Sequence, residues 1–482
     1  MSKDVGVLSY GVYIPRGRLQ RAAVYAANAW FAPGLKGLAK GERAAANWDE
    51  DAVTMAVEAG RDALMGFARD EIGAISLAST TFPFADRLNA GVVKEALNLS
   101  DDIAGFDAGG SLRAGASALI QALNGACAAP HLCIASDLRK ARPASEAELN
   151  QGDAAAAILV GKGKPIAKFL GAHSVTIDFV DHYRAEGEDF DYTWESRWIR
   201  DEGYQKIAGD GLKAALKKIG LSGKEIDRAA IAISARGAPE LLAKLSGVNA
   251  DALVDTMSAT VGDTGAAHPL LMLAAALEAA KPGDKILLVA FGQGLDVLAF
   301  EATPALLEHA PRDGLAGALA RRKAETNYHR FLFHRGLLDL ERGMRAEADQ
   351  KQPGSTLYRN RKTVLALMGG RCTKTGAVQF PKTDISVNPN DHAIGTQEDY
   401  PLAERTAKIA TYTADSLTYS PDPPSYYGMI DFEGGGRMIA EFTDVDAADV
   451  EVGREMRMVF RIKAVDEQRA FTRYFWKATR AD

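Results

Sequence analysis

The sequence has few cysteines and no long hydrophobic run. Only Cys127, Cys133 and Cys372 occur among 482 residues, so no disulfide framework is expected. No apolar stretch reaches the roughly 20 residues that a membrane-spanning helix needs, and the first residues lack the apolar region of a signal peptide. The formal net charge of -6 argues against a nucleic acid or an anionic membrane as partner. We therefore expect a cytoplasmic protein.

The composition is that of an ordinary globular protein. Apolar residues make up 47% of the chain and charged residues 25%. A length of 482 residues is sufficient for two or three domains with a substantial core.

A serine occupies a glycine-rich turn directly before a predicted helix. Ser111 lies in the segment FDAGGSLRAG (residues 106–115), and the apolar run at residues 116–123 predicts a buried helix. Residues 133–136 then have the pattern of a buried strand. A side chain at a helix start faces unpaired backbone N–H groups and the positive end of the helix dipole, where nucleophiles and anions are stabilised. This turn is the first candidate for a reactive site.

The same layout occurs again about 150 residues later. The segment GDTG (residues 262–265) precedes an apolar run at residues 266–277, a Pro-Gly turn and a predicted strand at residues 286–291. A second pair of matching segments, residues 52–75 and 211–233, has the order helix, polar link and buried strand in both copies. Repetition of one supersecondary unit predicts a duplicated fold in which both turns meet near a pseudo-twofold axis.

Three phrases resemble the hydroxymethylglutaryl-CoA synthases of the thiolase superfamily, especially their archaeal-type branch. They are YGVYIPR (residues 10–16), DEDAVTMAVE (residues 49–58) and KPGDKIL (residues 281–287), and the resemblance extends over about residues 5–303. It implies a duplicated α/β body of thiolase type with five αβαβα layers. It also implies coenzyme A or an acyl-CoA as substrate, and a homodimer.

The last part of the chain resembles the OB-fold domain that accompanies acyl-CoA-handling thiolases. This resemblance is carried by LTYSPDPP (residues 417–424) and YGMIDFEGGGR (residues 427–437). Short β-rich runs at regular spacing in the same region are typical of a small barrel. We therefore predict a C-terminal all-β OB barrel.

A zinc ribbon with four cysteines usually precedes that OB domain, and here it is incomplete. Cys372 and Thr375 keep the frame of one knuckle, while Ser386 and Asp391 stand near the ligand positions of the other. A structural zinc needs about four Cys or His ligands, and His392 does not restore that number. We expect no zinc and a plain buried thiol at Cys372.

These patterns divide the chain into five predicted parts. They are a first thiolase-like half (residues 1–165), a second half (166–305), a helical linker (306–358), a degenerate zinc-ribbon segment (359–400) and the OB-fold domain (401–482). Within the second half, residues 178–204 are rich in aromatic and charged side chains, and we predict a packed surface or the lip of a pocket there.

The reactive groups of the resembled synthases are all replaced. Ser111 stands where those enzymes carry the cysteine that the CoA thioester acylates. Their histidine falls on Ser234 or Ala235, their glutamate on Thr80, and the asparagine of related condensing enzymes on Asp263. A cysteine at a helix start is activated by a lowered thiol pKa, whereas a serine needs a neighbouring base. Ordinary hydroxymethylglutaryl-CoA synthesis is therefore not expected.

Three interpretations of this site stay open. In the first, the site is inactive and the chain is a non-catalytic partner or scaffold for a catalytic thiolase. In the second, other groups still act on an acyl-CoA or a β-keto substrate, forming or cleaving a C–C bond beside the carbonyl, as in CoA-dependent cleavage of a β-keto acid. In the third, Ser111 forms an acyl-enzyme with Asp263 or His268 as its base. His268 lies near the start of the second helix, and the alternative to a catalytic role is a purely structural one, in which its ring forms a hydrogen bond to the backbone.

The remaining candidate residues are predicted to bind the substrate. Gly292 and Gly294 belong to FGQG (residues 291–294), which resembles the glycine loop whose backbone N–H groups hold a carbonyl oxygen in the family. A tight turn is the alternative. Arg139 and Arg142 follow the first predicted strand and are candidates for binding CoA phosphates, with a solvated surface cluster as the alternative.

Overall fold

The computed structural model describes residues 5–125, 129–343, 354–391 and 393–481. Cys127, His392 and residues 344–353 of the predicted linker lie outside the described residues. The chain forms two compact units. Unit 1 comprises Met1–Asn47, Asp51–Gly91 and Ser100–Arg335, and unit 2 comprises Trp48–Glu50, Val92–Leu99 and Gly336–Asp482.

Unit 1 contains one large sheet and, among the described residues, two small ones. Its strands are β1 (Val5–Tyr13), β2 (Gly17–Gln20), β3 (Glu42–Ala45), β4 (Ala74–Ala78), β5 (Ala104–Ala108), β6 (His131–Asp137), β7 (Ala154–Lys162), β8 (Ala167–Thr176), β9 (His182–Tyr183), β10 (Tyr192–Thr193), β11 (Arg228–Ala232), β12 (Lys285–Phe291), β13 (Gly294–Ala302) and β14 (Lys323–Glu325). The large sheet has nine strands in the order β11-β12-β13-β8-β1-β7-β6-β4-β5. A small sheet has the order β14-β2-β3, and β9 pairs with β10.

The predicted helices are present at the expected places. Among the described residues the helices are α1 (Arg21–Asn28), α2 (Ala52–Ala63), α3 (Asn89–Ala96), α4 (Ala114–Asn124), α5 (Glu146–Asn150), α6 (Ser196–Trp198), α7 (Gly209–Ile219), α8 (Ala238–Ser246), α9 (His268–Ala279), α10 (Gly314–Ala320), α11 (Tyr328–His334), α12 (Gly354–Arg359) and α13 (Arg361–Leu365). A π-helix, Ile199–Ala208, joins α6 to α7. In this described part of the chain, no helix has the length and hydropathy to cross a membrane.

The large sheet contains the same arrangement twice. In the first half β4 and β6 are parallel, whereas β7 is antiparallel to both β6 and β1. In the second half β11 and β12 are parallel, whereas β13 is antiparallel to both β12 and β8. β5 extends the first half beyond β4, and an isolated parallel bridge between Ala229 and Leu253 stands at the corresponding place in the second half. The repeat predicted from the sequence is therefore present in the topology.

The core of unit 1 lies around α4 and α9. Both helices contribute to one hydrophobic cluster with strands of both halves, and α9 is buried from His268 to Leu277, as expected for a helix that is apolar on every side. α2 packs on β1 and β7, and α7 packs on β8. The two glycine-rich turns meet where α4 and α9 begin, because a Cβ added to Gly115 would lie 2.7 Å from the carbonyl oxygen of Ala266.

Residues 314–335 differ from the predicted linker. The sequence predicts a helical linker over residues 306–358, but β14 separates α10 from α11 and pairs in parallel with β2. Leu315 of α10 and Phe331 of α11 are buried in the hydrophobic clusters of unit 1, and Tyr328 donates a hydrogen bond of 2.8 Å to Glu148. These residues belong to unit 1 because their apolar side chains complete its core.

Unit 2 is rich in β structure. Its strands are β15 (Met368–Cys372), β16 (Val378–Gln379), β17 (Gln397–Pro401), β18 (Ala407–Ile409), β19 (Thr413–Asp415), β20 (Ser425–Phe432), β21 (Arg437–Glu441), β22 (Glu455–Asp466) and β23 (Phe471–Arg480). Three of them form a sheet in the order β16-β15-β17, and a second sheet has the order β19-β20-β18-β22-β23 with β21 paired to β20. The prolines of residues 421–424 lie in the loop before β20, since proline cannot join a central strand.

Candidate functional site

The first turn places Ser111 against a loop of the second half. Ser111 lies between β5 and α4, and its Oγ donates a hydrogen bond of 2.9 Å to the carbonyl oxygen of Gly292. The backbone N–H of Arg113 lies 3.4 Å from the same Oγ. A carbonyl oxygen is an acceptor and not a base, so these contacts do not activate the hydroxyl as a nucleophile.

The glycine loop at residues 291–294 is oriented differently from the sequence-based expectation. The Gly292 N–H donates a hydrogen bond of 3.1 Å to the carbonyl oxygen of Gly294, so that it is not free to hold a substrate carbonyl. The Gly292 carbonyl also accepts a hydrogen bond of 2.8 Å from Nε of Arg113. Gly294 has a φ of +119°, and a Cβ there would lie 2.0 Å from the Val175 oxygen. A side chain at this position would collide with the backbone, and this packing is sufficient to explain why residue 294 is a glycine.

The second turn presents a carboxylate. Asp263 accepts hydrogen bonds from Oγ of Ser234 (2.5 Å) and from the N–H of Gly265 (2.9 Å), and its side chain is 30% exposed. Burial by itself raises the pKa of Asp263, but His268 in its protonated form, the charge of Arg139 and these hydrogen bonds hold it below its usual value. Asp263 is therefore ionised at neutral pH.

His268 lies beside Asp263 and is almost completely buried. It is 2% exposed, and its Nδ1 lies 3.3 Å from the Thr264 hydroxyl, while its Nε2 has no hydrogen-bond partner among the described residues. Burial lowers the pKa of His268, and the nearby Asp263 only partly opposes this shift. The imidazole is therefore neutral at pH 7. Asp263 and His268 both lie at the second turn, whereas Ser111 lies at the first.

The sequence interpretation missed Asp137, which connects the loop after β4 to the second turn. This buried residue at the end of β6 accepts hydrogen bonds from the Ser79 hydroxyl (2.8 Å), from the Thr80 N–H (2.7 Å) and hydroxyl (2.9 Å), and from the Ala266 N–H (2.7 Å). Thr80, which the sequence predicts at the position of the synthases' glutamate, is thus held by Asp137. The only available signal was the place of Asp137 directly after a predicted buried strand.

Arg139 is not a surface residue. It is 6% exposed, and its Nη2 lies 2.6 Å from the carboxylate of Asp191 in the β9–β10 hairpin. Its Nη1 lies 3.9 Å from Asp263. Arg139 therefore connects the hairpin to the second turn, and its burial argues against a role in binding CoA phosphates. Arg142 is exposed and lies over the ring of Phe190 at 4.7 Å; its predicted contact with phosphate stays a prediction.

The incomplete zinc ribbon lies in unit 2. Cys372 is buried, and its Sγ lies 3.2 Å from the hydroxyl of Thr396, while Ser386 is also buried. In the described ranges, no group of three or more His, Cys, Asp or Glu side chains is arranged to hold a metal ion. The absence of zinc stays a prediction.

The fold and the arrangement of the turns define the class of protein. This chain is similar in fold to the solved structure of MvaS in complex with 3-hydroxy-3-methylglutaryl coenzyme A, with a TM-score of 0.57 and 20% sequence identity. The match covers 73% of this chain and 95% of that chain. The 3-oxoacyl-[acyl-carrier-protein] synthase III of Aquifex aeolicus has a TM-score of 0.54 at 18% identity, covering 62% and 99%. Two family models match parts of the chain. The model of the 3-oxoacyl-[acyl-carrier-protein (ACP)] synthase III C-terminal domain matches residues 216–300, and the model of the ChsH2 C-terminal OB-fold domain matches residues 400–461. The chain therefore combines a thiolase-type αβαβα body with an OB-fold domain.

A curated relative narrows the class. The hydroxymethylglutaryl-CoA synthase of Archaeoglobus fulgidus is 30% identical over 342 residues, which cover 69% of this chain and 98% of that enzyme. The chain belongs to the hydroxymethylglutaryl-CoA synthase family. The predicted family and fold class are thus confirmed, while the replacement of the family's reactive groups by Ser111, by Ser234 or Ala235, and by Thr80 stays a prediction.

Proposed function

We propose that this protein is an acyl-CoA-metabolising enzyme that forms or cleaves a C–C bond beside a thioester or β-keto carbonyl. Its substrates are CoA or an acyl-CoA together with a β-keto compound, and CoA-dependent cleavage of a β-keto acid is the specific reaction that we propose. Because Ser111 contacts no base among the described residues, this reaction proceeds without an acylated serine.

The observation that carries this proposal is the ionised carboxylate of Asp263 at the second turn. Its Oδ1 and Oδ2 are oriented by Gly265 and Ser234, and its partial exposure leaves it accessible to a bound substrate. A positioned carboxylate of this kind transfers protons as a general base and then as a general acid. His268, neutral and buried at the start of α9, is a second candidate residue in this reaction, and its Nε2 has no hydrogen-bond partner among the described residues.

The proposed cleavage is balanced without any further reactant. The CoA sulfur attacks the ketone carbon of the β-keto acid, and Asp263 accepts the thiol proton as the C–S bond forms. The C–C bond between the ketone carbon and the α-carbon then breaks, and its electron pair stays on the α-carbon. Asp263 returns the proton to that carbon, so that the products are a new acyl-CoA and a shortened carboxylate.

The test is to incubate the purified chain with free CoA and β-keto acids or β-keto thioesters and to measure new thioesters by mass spectrometry. We expect turnover by the wild type and a fall in kcat of about 10²-fold or more for Asp263→Asn, because general acid–base catalysis contributes at least that much. The amide retains an acceptor for the Gly265 N–H. The matched control is Asp251→Asn, which changes an exposed carboxylate. Equal rates for both variants would contradict the proposal.

A non-catalytic role is the second candidate. The sequence predicts Ser111, Thr80 and either Ser234 or Ala235 at three reactive positions, and the three hydroxyls among them are each held by a hydrogen bond within the protein. An inactive chain that assists a catalytic thiolase is consistent with this arrangement. Turnover that occurs only after a co-purifying thiolase is added, with a fixed stoichiometry in pull-down, would favour this second role.

We further propose a homodimer in a reducing, cytoplasmic setting. β5 is the last strand of the large sheet, its residues Ala104–Ala108 are exposed or half-buried, and Phe106 is an exposed aromatic residue within it. An open strand edge is a template for pairing with another chain, and sedimentation velocity tests the dimer. The low cysteine content of the sequence, three in 482 residues, supports a reducing compartment.

A further inference from the structure

The segment between β10 and α7 contains a helix of unusual geometry. Residues 196–219 form one helical run in which Ile199–Ala208 is a π-helix between α6 and α7. π-helical turns are rare and occur frequently at functional sites. The first part of this segment, up to Tyr204, belongs to the aromatic stretch (residues 178–204) that the sequence suggested as a packed surface or the lip of a pocket, but none of its residues has a role in the reaction proposed above.

The π-helix is packed closely against aromatic rings beside the candidate site. A Cβ added to Gly203 would lie 2.8 Å from Cε1 of Phe179 and 3.2 Å from Cζ of Phe291, so that only glycine permits this approach. The neighbouring Tyr204 contacts the edge of Phe291, with ring centroids 5.2 Å apart and an interplanar angle of 75°. Phe291 directly precedes Gly292, the residue that accepts the hydrogen bond of Ser111.

The Tyr204 hydroxyl lies in the field of two carboxylates. Burial raises the pKa of this phenol most, and the charges of Asp181 and Asp263 raise it further. The phenol is therefore neutral at every physiological pH and acts as a hydrogen-bond donor. Within the described part of the chain its hydroxyl forms no hydrogen bond, in contrast to Tyr328, whose hydroxyl donates to Glu148.

The proposed reaction needs a hydrogen-bond donor beside the ketone oxygen of the substrate. Attack on a ketone carbon develops negative charge on the ketone oxygen, and preoriented donors in a site of low polarity stabilise that charge. The N–H of Gly292, which sequence comparison suggested for this task, already donates to Gly294. Tyr204 packs against Phe291, which belongs to the same loop.

We infer that the hydroxyl of Tyr204 donates a hydrogen bond to the ketone oxygen of the β-keto substrate. Tyr204 is then a catalytic residue, because it touches the reacting carbonyl. The inference rests on the proposed function. It also identifies the feature that the site recognises, a ketone β to the carboxyl or thioester group, and a saturated acyl chain lacks this feature.

The test compares wild type, Tyr204→Phe and the control Tyr192→Phe. Phenylalanine keeps the ring that packs on Phe291 and removes only the hydroxyl, whereas Tyr192 is 58% exposed on the β9–β10 hairpin. Binding of acetoacetyl-CoA and of butyryl-CoA, which lacks the ketone, is measured by calorimetry with free CoA omitted so that the proposed CoA-dependent cleavage lacks its co-reactant. The kcat and KM of β-keto acid cleavage and the melting temperature are measured on the same preparations.

We expect the wild type and Tyr192→Phe to bind acetoacetyl-CoA about tenfold more tightly than butyryl-CoA, as one additional hydrogen bond permits. Tyr204→Phe should bind the two thioesters equally and lose about 10²-fold or more in kcat, with KM for CoA and the melting temperature unchanged. A Tyr204→Phe variant that keeps both the preference and the kcat of the wild type would overturn the role of Tyr204 and leave the proposed function intact. A wild type without preference and without turnover would overturn the proposed function, and this inference with it.

Discussion

Asp49 is the centre of a buried charged cluster in unit 2. Its Oδ2 accepts hydrogen bonds of 2.9 Å from Nζ of Lys477 and 2.9 Å from the Thr443 hydroxyl, and Nε of Arg461 lies 3.7 Å from its Oδ1. The Asp49 side chain is 0% exposed and that of Lys477 is 3% exposed. Removing the charge of Asp49 leaves a buried ammonium group whose remaining described partners are Glu441 at 3.5 Å and the ring of Trp48 at 4.2 Å.

The magnitude of the Asp49→Asn effect follows from this geometry. Breaking a buried ion pair by removing one charge costs about 3–5 kcal/mol. Because Glu441 still faces Lys477, we expect the lower end of that range, about 3 kcal/mol of unfolding free energy. For a unit of this size, each kcal/mol lowers Tm by about 2–4 °C, so the Tm of unit 2 should fall by about 6–12 °C in differential scanning calorimetry.

The dependence on pH provides an independent check. Burial alone raises the pKa of Asp49, but Lys477 and Arg461 hold it below its usual value. A carboxyl group with a depressed folded pKa stabilises the protein fully above its unfolded value of about 3.9, and this contribution disappears as the pH falls through the folded pKa. The difference in unfolding free energy between the wild type and Asp49→Asn should therefore disappear in strong acid and stay constant from pH 5 to pH 8.

Two controls accompany this experiment. Asp399→Asn removes the charge of an exposed pair with Lys382 and should cost less than about 1 kcal/mol. The double variant Asp49→Asn, Lys477→Met removes the unpaired ammonium group and should be no less stable than Asp49→Asn alone, since the cost of a broken buried pair is mostly that of the remaining charge. If Asp49→Asn is as stable as Asp399→Asn, the reasoning about this cluster is refuted.

Two further predictions concern the candidate reactive groups. Ser111→Ala should retain wild-type kcat within about threefold and should show no acylated protein by mass spectrometry, because its hydroxyl binds a carbonyl oxygen and not a base; a large loss together with a trapped acyl-serine would restore the serine nucleophile. Purified protein should contain no stoichiometric zinc by elemental analysis, and chelators should not change its Tm, because Cys372 stands without the remaining ligands of a ribbon; a Tm lowered by chelation would contradict this prediction.

The periodicity of the sequence was sufficient for much of the fold. The apolar run after residue 265 predicts α9, and the matching runs at α4, α2 and α7 reveal the duplication, because a helix that is buried on several sides must be apolar over its whole length. The linker after residue 305 was less predictable. Lys323–Glu325 forms β14 only because β2 offers it a partner more than 300 positions earlier, and a three-residue strand leaves no periodic signal.

The candidate site also combines features that the local sequence indicates with features that only tertiary packing sets. Glycine-rich turns before apolar helices are local patterns, so the sequence is sufficient to indicate Ser111, Asp263 and His268 as candidates. The direction of the Gly292 carbonyl and the burial of Arg139 against Asp191 depend on residues far apart in the chain. Nothing in local composition indicates them, because a hydrogen bond is directional and its partner is set by how distant segments pack.

Local patterning was thus enough to establish a duplicated α/β body with two helix-start turns and a separate β-rich unit. Tertiary packing alone decided which groups at those turns are free to react. It directs the Ser111 hydroxyl to a carbonyl oxygen, holds Thr80 on Asp137, leaves Asp263 ionised and partly exposed, and brings Tyr204 beside the same loop. The physical reason is that reactivity depends on the neighbours, charges and solvent access that each side chain acquires from segments distant in sequence.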